Sequence, residues 1–126
     1  MAFVEFQDVH KTYQMGSVEV KAVDGMSFEI ERGELCVIVG PSGAGKTTVL
    51  NMLGGMDSAT SGTILLDEQE VSAMNARQLT QYRRYSIGFV FQFYNLVQNL
   101  TAQENVELAS QICKDPLPAE EVLADV

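Results

Sequence analysis

The residues of this sequence whose types and spacing could do chemistry lie in one glycine-rich stretch, "GPSGAGKTT", at residues 40–48. Gly40, Gly45, Lys46 and Thr47 satisfy the spacing G-x-x-x-x-G-K-[ST], in which the backbone N–H groups of a loop surround the phosphates of a nucleotide. An apolar run at 35–39 precedes the loop, and apolar residues at helical spacing follow it. The stretch therefore predicts a strand, a phosphate-binding loop and a helix whose positive end faces the phosphates.

The individual loop positions have different expected roles at a triphosphate. Lys46 is expected to bridge the β- and γ-phosphates, the Thr47 hydroxyl to bind Mg²⁺, and Thr48 to donate near the α-phosphate. Glycine at 43 and 45 lets the main chain approach the phosphates, because a side chain there would block the approach. A glycine-rich turn that binds nothing is the alternative. The predicted nucleotide-binding residues of the loop are Gly40, Pro41, Ser42, Gly43, Ala44, Gly45, Lys46, Thr47 and Thr48.

Composition restricts the possible partners of the chain. Seventeen acidic against eight basic residues leave a net charge of −9, which disfavours direct adhesion to nucleic acid or to anionic lipid. No apolar run approaches the ~20 residues of a transmembrane helix, and the first residues lack the apolar stretch of a secretion signal. We therefore expect a cytoplasmic location, no nucleic-acid partner, and any membrane role to pass through a protein partner.

The elements around the loop read as an α/β fold with a strand-rich module in front. Imperfect alternation in "FVEFQDVHKTY" and alternating apolar residues in "MSFEI" predict strands ahead of the loop. Downstream, "SGTILLDEQEV" predicts a strand and turn, "NARQLTQYRR" a short helix, and "YSIGFVFQ" a buried strand that ends at Gln92. The segment "TAQENVELASQI" predicts a helix, because Thr101 and Glu104 have the spacing of a capping box.

The order of these parts resembles the nucleotide-binding subunit of ABC transporters along nearly the whole chain. The stretches that carry the resemblance are "KTY" around Tyr13, "GPSGAGKTT", "SGTILLD" at 61–67, and "IGFVFQFYNLVQNLTAQENVEL" at 87–108. The last stretch is similar to the subgroup that serves lipoprotein release and macrolide or peptide export. Gln98 stands where proline is common in that subgroup.

The resemblance implies a P-loop NTPase that binds ATP and Mg²⁺. It implies that Tyr13 stacks on adenine, although a lone tyrosine near a strand end is otherwise more often half-buried packing. It matches Gln92 to the Q-loop, with a catalytic role near the Mg²⁺ and the attacking water, whereas the sequence alone favours a hydrogen bond to the following loop. Residues 93–99 would contact a separate transmembrane permease. A second nucleotide-binding subunit would pack head to tail, peripheral on the inner face of the membrane.

The family pattern also contains segments that these 126 residues do not include. They are the L-S-G-G-Q signature, an apolar Walker B strand ending in Asp-Glu, and a later histidine. We therefore expect an N-terminal part of the subunit, with the nucleotide-binding core at 1–100 and the start of a helical subdomain at 101–126. The missing strand would lie between the segments 35–39 and 86–91. Such a chain is expected to bind nucleotide at most, although the whole subunit would hydrolyse ATP.

Two other function classes stay open on the sequence. A nucleotide kinase outside transport would also use a phosphate-binding loop, and an arginine-rich lid over a phosphate acceptor would support it. A catalytically silent interaction module would show no nucleotide binding at all, so titration with nucleotide separates it from the other two.

Overall fold

The computed structural model describes residues 2–126, and the chain divides after Thr80 into two compact units. The regular elements are the strands β1 (Ala2–Met15), β2 (Val18–Glu31), β3 (Ser61–Leu66) and β4 (Gln69–Glu70), the helices α1 (Lys46–Leu53), α2 (Ala76–Tyr85), α3 (Ala102–Ser110) and α4 (Ala119–Ala124), and one 3-10 turn (Val71–Ala73). Helix α2 crosses the division between the units. The expected functional boundary after residue 100 stays a prediction.

An antiparallel sheet organises the first unit, in the strand order β2-β1-β3-β4. The β1–β2 hairpin closes through a two-residue turn that begins at Gly16, whose φ of 65° suits glycine. The β3–β4 turn uses Asp67 and Glu68, both with positive φ. The predicted strand-rich module at the start of the chain is therefore confirmed, together with the predicted strand and turn in "SGTILLDEQEV".

A β-bulge in β1 explains why its sequence alternates imperfectly. Phe6 pairs with Phe28 and Val9 with Met26, so β1 advances by three residues while β2 advances by two. Asp8, with a φ of 47°, is one of the two residues between the paired positions. The extra residue shifts the alternation of side chains between the two faces of the sheet. Phe6 and Val9 therefore both face the core although they are three residues apart.

The core of the first unit lies between the sheet and α1. Phe6 is 1% exposed and its ring stacks on that of Phe28, with 4.5 Å between the centroids. Helix α1 contributes Val49 and Met52, each 1% exposed. The predicted helix after the glycine-rich loop is thus confirmed. Because the apolar face of this helix packs into the core, the point at which the loop ends and the helix begins is held in place. The other buried apolar side chains of this unit are Val4, Val9, Val23, Ile64, Leu66 and Val71.

The two segments expected as parallel strands are not strands in residues 2–126. Residues 34–41 and 87–91 form no ladder with another described segment. Leu35 is 91% exposed, Val39 83% and Val90 100%. The prediction of strands at 35–39 and 86–91 is therefore wrong for this structure. The physical reason is that an apolar run becomes a strand only beside a neighbour that takes up its backbone hydrogen bonds.

The second unit contains the predicted capping box. The Thr101 hydroxyl accepts from the Glu104 backbone N–H at 3.1 Å, and the Glu104 carboxylate accepts from the Thr101 N–H at 3.0 Å. The Asn105 side chain binds the backbone of Val97, Leu100 and Thr101 and so ties the preceding loop to α3. Across the described chain, every helix is too short or too polar to cross a bilayer.

Candidate functional site

The glycine-rich loop ends where α1 begins. Gly45 is the N-cap residue and Lys46 the first helical residue, and no acidic side chain lies in the first turn. The first amides of a helix have no carbonyl within the helix to bind, and the positive end of the helix dipole is located there. Residues 41–44 are exposed, and the Ala44 N–H donates to the Pro41 carbonyl at 3.1 Å to form a turn. The segment thus presents the donors and the partial charge that an anion needs.

The glycines of the loop are required for two different reasons. Gly43 has a φ of 82° and Gly45 a φ of 92°, in the left-handed region that glycine adopts without cost. A Cβ at Gly45 would also lie closer than 3.0 Å to the carbonyl oxygen of Ala22 in β2, whereas a Cβ at Gly43 would have no described neighbour within 4 Å. Gly45 therefore permits a close approach of the loop to the sheet, a requirement that the sequence does not reveal.

The Lys46 side chain folds back across the loop. Its ammonium donates to the carbonyl oxygens of Gly40 and Pro41, both at 2.7 Å. The side chain is half-buried. These two neutral acceptors hold the positive charge inside the loop without neutralising it, so the loop already contains a fixed cation.

Tyr13, the residue expected at the nucleotide base, lies near the start of α1 in the first unit. Its hydroxyl donates to the carboxylate of Asp57. The hydrogen bond to Asp57 raises the pKa of Tyr13, partial burial and the Asp57 charge act in the same direction, and a hydrogen bond with the Thr48 side chain acts against them. Tyr13 and Thr48 belong to distant parts of the sequence, and folding brings them together.

Two residues that the sequence analysis missed complete this cluster. The Lys11 ammonium lies 2.9 Å from an oxygen of Asp57, 5.0 Å from the centroid of the Tyr13 ring and 2.6 Å from the Ser58 carbonyl. Burial favours the neutral form of Asp57, but hydrogen bonds from Tyr13, Lys11 and the Ser58 N–H outweigh it and lower its pKa. Lys11 could have been found, because side chains two apart in a strand share a face. Asp57 could not, because only folding brings it to Tyr13.

Gln92 lies in the second unit, in the irregular segment before α3, and its side chain is exposed. Its predicted catalytic and metal-binding roles stay predictions. The segment after it is also exposed, with Phe93 at 75%, Tyr94 at 93% and Leu96 at 64%. Its predicted contact with a permease stays a prediction as well.

Thr47 is the residue of the loop that is predicted to bind Mg²⁺. Among the described residues, no three His, Cys, Asp or Glu side chains lie together as metal ligands would. Thr47 is exposed in the first turn of α1, directly after Lys46 in the sequence. Because Mg²⁺ in nucleotide sites takes few protein ligands and fills its shell with water and phosphate oxygens, one hydroxyl at this position fits the ion.

The chain is similar to proteins of one family. The family model described as "ABC transporter" matches residues 23–126. An uncharacterized ABC transporter ATP-binding protein of Thermotoga maritima is 52% identical over 83% of this chain and 45% of its own length. The macrolide export ATP-binding/permease protein MacB of Brucella abortus is 45% identical over 83% of this chain and 16% of its own length.

Solved structures give the same result. The ATP-binding cassette MJ0796, in a dimeric post-hydrolysis state bound to ADP and Pi, superposes with a TM-score of 0.83 at 40% identity. The match covers 94% of this chain and 51% of the cassette, so the chain spans about half the length of its relatives or less. Since the family model covers most of the chain and the superposition covers nearly all of it, the chain belongs to the ABC transporter family and has the α/β fold of part of an ATP-binding cassette.

Proposed function

We propose that this chain belongs to the ATP-binding subunit of an ABC transporter and binds ATP with Mg²⁺ through the loop at 40–48. The single observation that carries the proposal is the position of Lys46. Its ammonium is held inside a glycine-rich loop at the positive end of α1, by two carbonyl oxygens at 2.7 Å. Phosphate oxygens carry more negative charge than these carbonyls and form stronger hydrogen bonds with an ammonium group.

The neighbouring residues have separate tasks in this proposal. Lys46 exchanges its carbonyl contacts for the β- and γ-phosphates, and the first amides of α1 donate to the same chain of phosphates. Thr47 provides a hydroxyl for Mg²⁺, and Thr48 donates near the α-phosphate. Tyr13 stacks on the base. Its place near Thr48 supports this assignment, because a base and its phosphates must be bound close to one another.

The coupling to transport involves residues and partners beyond this loop. Gln92 orients the attacking water near the Mg²⁺, and the exposed segment 93–99 contacts a separate permease that crosses the membrane. A second nucleotide-binding subunit completes the ATP site head to tail, and the complex lies on the inner face of the cell membrane. The proposed direction is export, supported by the macrolide-export names among the relatives. The dimeric state of the superposed cassette supports the paired subunit.

The proposal is tested by titrating the chain with ATP and with AMP in the presence of Mg²⁺. Lys46→Ala should weaken ATP binding by about 10- to 150-fold, because a charge-assisted hydrogen bond is worth ~1.5–3 kcal/mol. AMP lacks both phosphates that Lys46 is proposed to bind, so its affinity should change little. Lys114→Ala, which removes the same charge from an exposed position in the second unit, is the matched control.

The outcomes separate the remaining function classes. Equal losses for ATP and AMP would contradict the assignment of Lys46 to the β- and γ-phosphates. No binding of either nucleotide by the unaltered chain would indicate an interaction module without a nucleotide site. Transfer of phosphate from ATP to a second nucleotide would indicate a kinase.

A further inference from the structure

Lys11 and Asp57 form a cluster with Tyr13. They hold the tyrosine side chain at its hydroxyl and at one face of its ring. The Tyr13 hydroxyl donates to one oxygen of Asp57, and Lys11 binds the other oxygen at 2.9 Å. The Lys11 ammonium also lies over the ring, 5.0 Å from its centroid. The ring edge and one ring face therefore have partners, and a base can stack only on the other face.

The partners of the ring are themselves held in place. The Lys11 side chain is 11% exposed and that of Asp57 29% exposed, and Lys11 also donates to the Ser58 carbonyl at 2.6 Å. A partly buried ion pair with further hydrogen bonds has less freedom to move than an exposed pair without them. The Tyr13 residue as a whole is 36% exposed, so part of it remains accessible to a ligand.

The cluster is connected by hydrogen bonds to the helix that begins at the phosphate-binding loop. The N–H groups of Met56 and Asp57 donate to the Asn51 carbonyl in α1, at 2.8 and 3.2 Å. On the other side, the Thr12 N–H donates to the Thr60 hydroxyl at 2.9 Å, and the Thr60 N–H donates to the His10 carbonyl at 2.8 Å. The segment 56–60 thus joins α1, which begins at the loop, to β1, the strand that carries Tyr13.

We propose that Lys11 and Asp57 are positioning residues that hold the Tyr13 ring ready for the base of the bound nucleotide. The inference rests on the proposed function, because it requires ATP to bind at the loop. A ring that is already ordered loses no rotational freedom when the base stacks on it, so removing its partners should lower affinity through lost preorganisation. We expect a loss of about two- to tenfold for ATP when Asp57 is removed.

The test compares ATP with inorganic tripolyphosphate, which has the phosphates but no base. Asp57→Ala should weaken ATP binding two- to tenfold and leave tripolyphosphate binding within about twofold. Charge alone predicts the opposite, because removing a carboxylate favours any anion. Asp57→Asn, which keeps an acceptor oxygen for the phenol, should restore part of the ATP affinity. Asp125→Ala, an exposed acid of the second unit, is the matched control and should change neither affinity.

A double substitution distinguishes positioning from a general structural role. If Asp57 acts through the tyrosine hydroxyl, Tyr13→Phe combined with Asp57→Ala should lose no more ATP affinity than the larger of the two single effects. Equal losses for ATP and tripolyphosphate, additive losses in the double variant, or unchanged ATP affinity would each overturn the inference while the proposed function stands. Absence of Lys46-dependent binding of both ligands by the unaltered chain would overturn the proposed function itself, and the inference with it.

Discussion

Replacing Gly45 by alanine tests how closely the phosphate-binding loop approaches the sheet. The new Cβ would lie closer than 3.0 Å to the Ala22 carbonyl oxygen and 3.5 Å from a methyl group of Val23. The first distance is shorter than folded chains tolerate, and the obstacle is backbone that cannot swing away. Gly43→Ala is the matched control, because Gly43 also has positive φ but its Cβ would have no described neighbour within 4 Å.

The magnitude follows from separating the two costs. Both variants place alanine in the left-handed region, which costs roughly 1–2 kcal/mol for a residue with a Cβ. Gly45→Ala must in addition move β2 or the loop, and relief of such overpacking costs typically about 1–3 kcal/mol. We therefore expect Gly43→Ala to lower the free energy of unfolding by ~1–2 kcal/mol and Gly45→Ala to lower it by ~2–5 kcal/mol.

Urea unfolding followed by far-ultraviolet circular dichroism measures the difference, provided that the slopes of the transitions agree. An Mg·ATP titration of the same proteins adds a second reading, because relieving the contact at Gly45 shifts the first turn of α1 away from the ligand. Equal destabilisation by the two substitutions would refute the reasoning, since it would mean that the contact with Ala22 contributes nothing. A Gly45→Ala protein as stable as the unaltered one would refute the left-handed conformation as well.

Three further predictions concern pH, turnover and association. The Asp57 pKa lies below its ordinary 3.8 and the Tyr13 pKa above its ordinary 10.0, so their contact stabilises the fold between these values. This contribution to the free energy of unfolding should be lost as acid protonates Asp57 below pH 3.8 or as base ionises Tyr13 above pH 10.0. Unfolding measured as a function of pH should show both losses when the unaltered chain is compared with Tyr13→Phe. A polypeptide of these 126 residues should bind ATP without sustained turnover, because the resemblance assigns the polarisation of the attacking water to an Asp-Glu strand that these residues do not include. Phosphate release at saturating Mg·ATP that clearly exceeds that of Lys46→Ala would contradict this. The apolar run at 35–39 is exposed, with Val37 73% exposed, and should therefore cause the chain to self-associate. Sedimentation should show less self-association for Val37→Lys. A monomeric unaltered chain would contradict the prediction.

The sequence by itself determined the features that depend on neighbouring residues. The loop spacing predicted a helix beginning at Lys46, and the structure confirms it. The Thr101–Glu104 spacing predicted a capping box, and both of its hydrogen bonds are present. The alternation ahead of the loop predicted strands, including the irregular stretch that is now explained by a bulge at Asp8. Each of these features is set within a few residues, where local backbone preferences dominate.

Only the tertiary structure decided the features that join distant parts of the chain. Asp57 reaches Tyr13 across 44 residues of sequence, and no local pattern marks it as a partner. Gly45 resembles any other loop glycine until β2 is placed against it. The apolar run at 35–39 has the composition of a buried strand, yet it is exposed because no strand among residues 2–126 takes up its hydrogen bonds. A sequence pattern indicates the conformation that a segment prefers by itself. Strand pairing and close approach of the backbone depend instead on which other segments lie beside it.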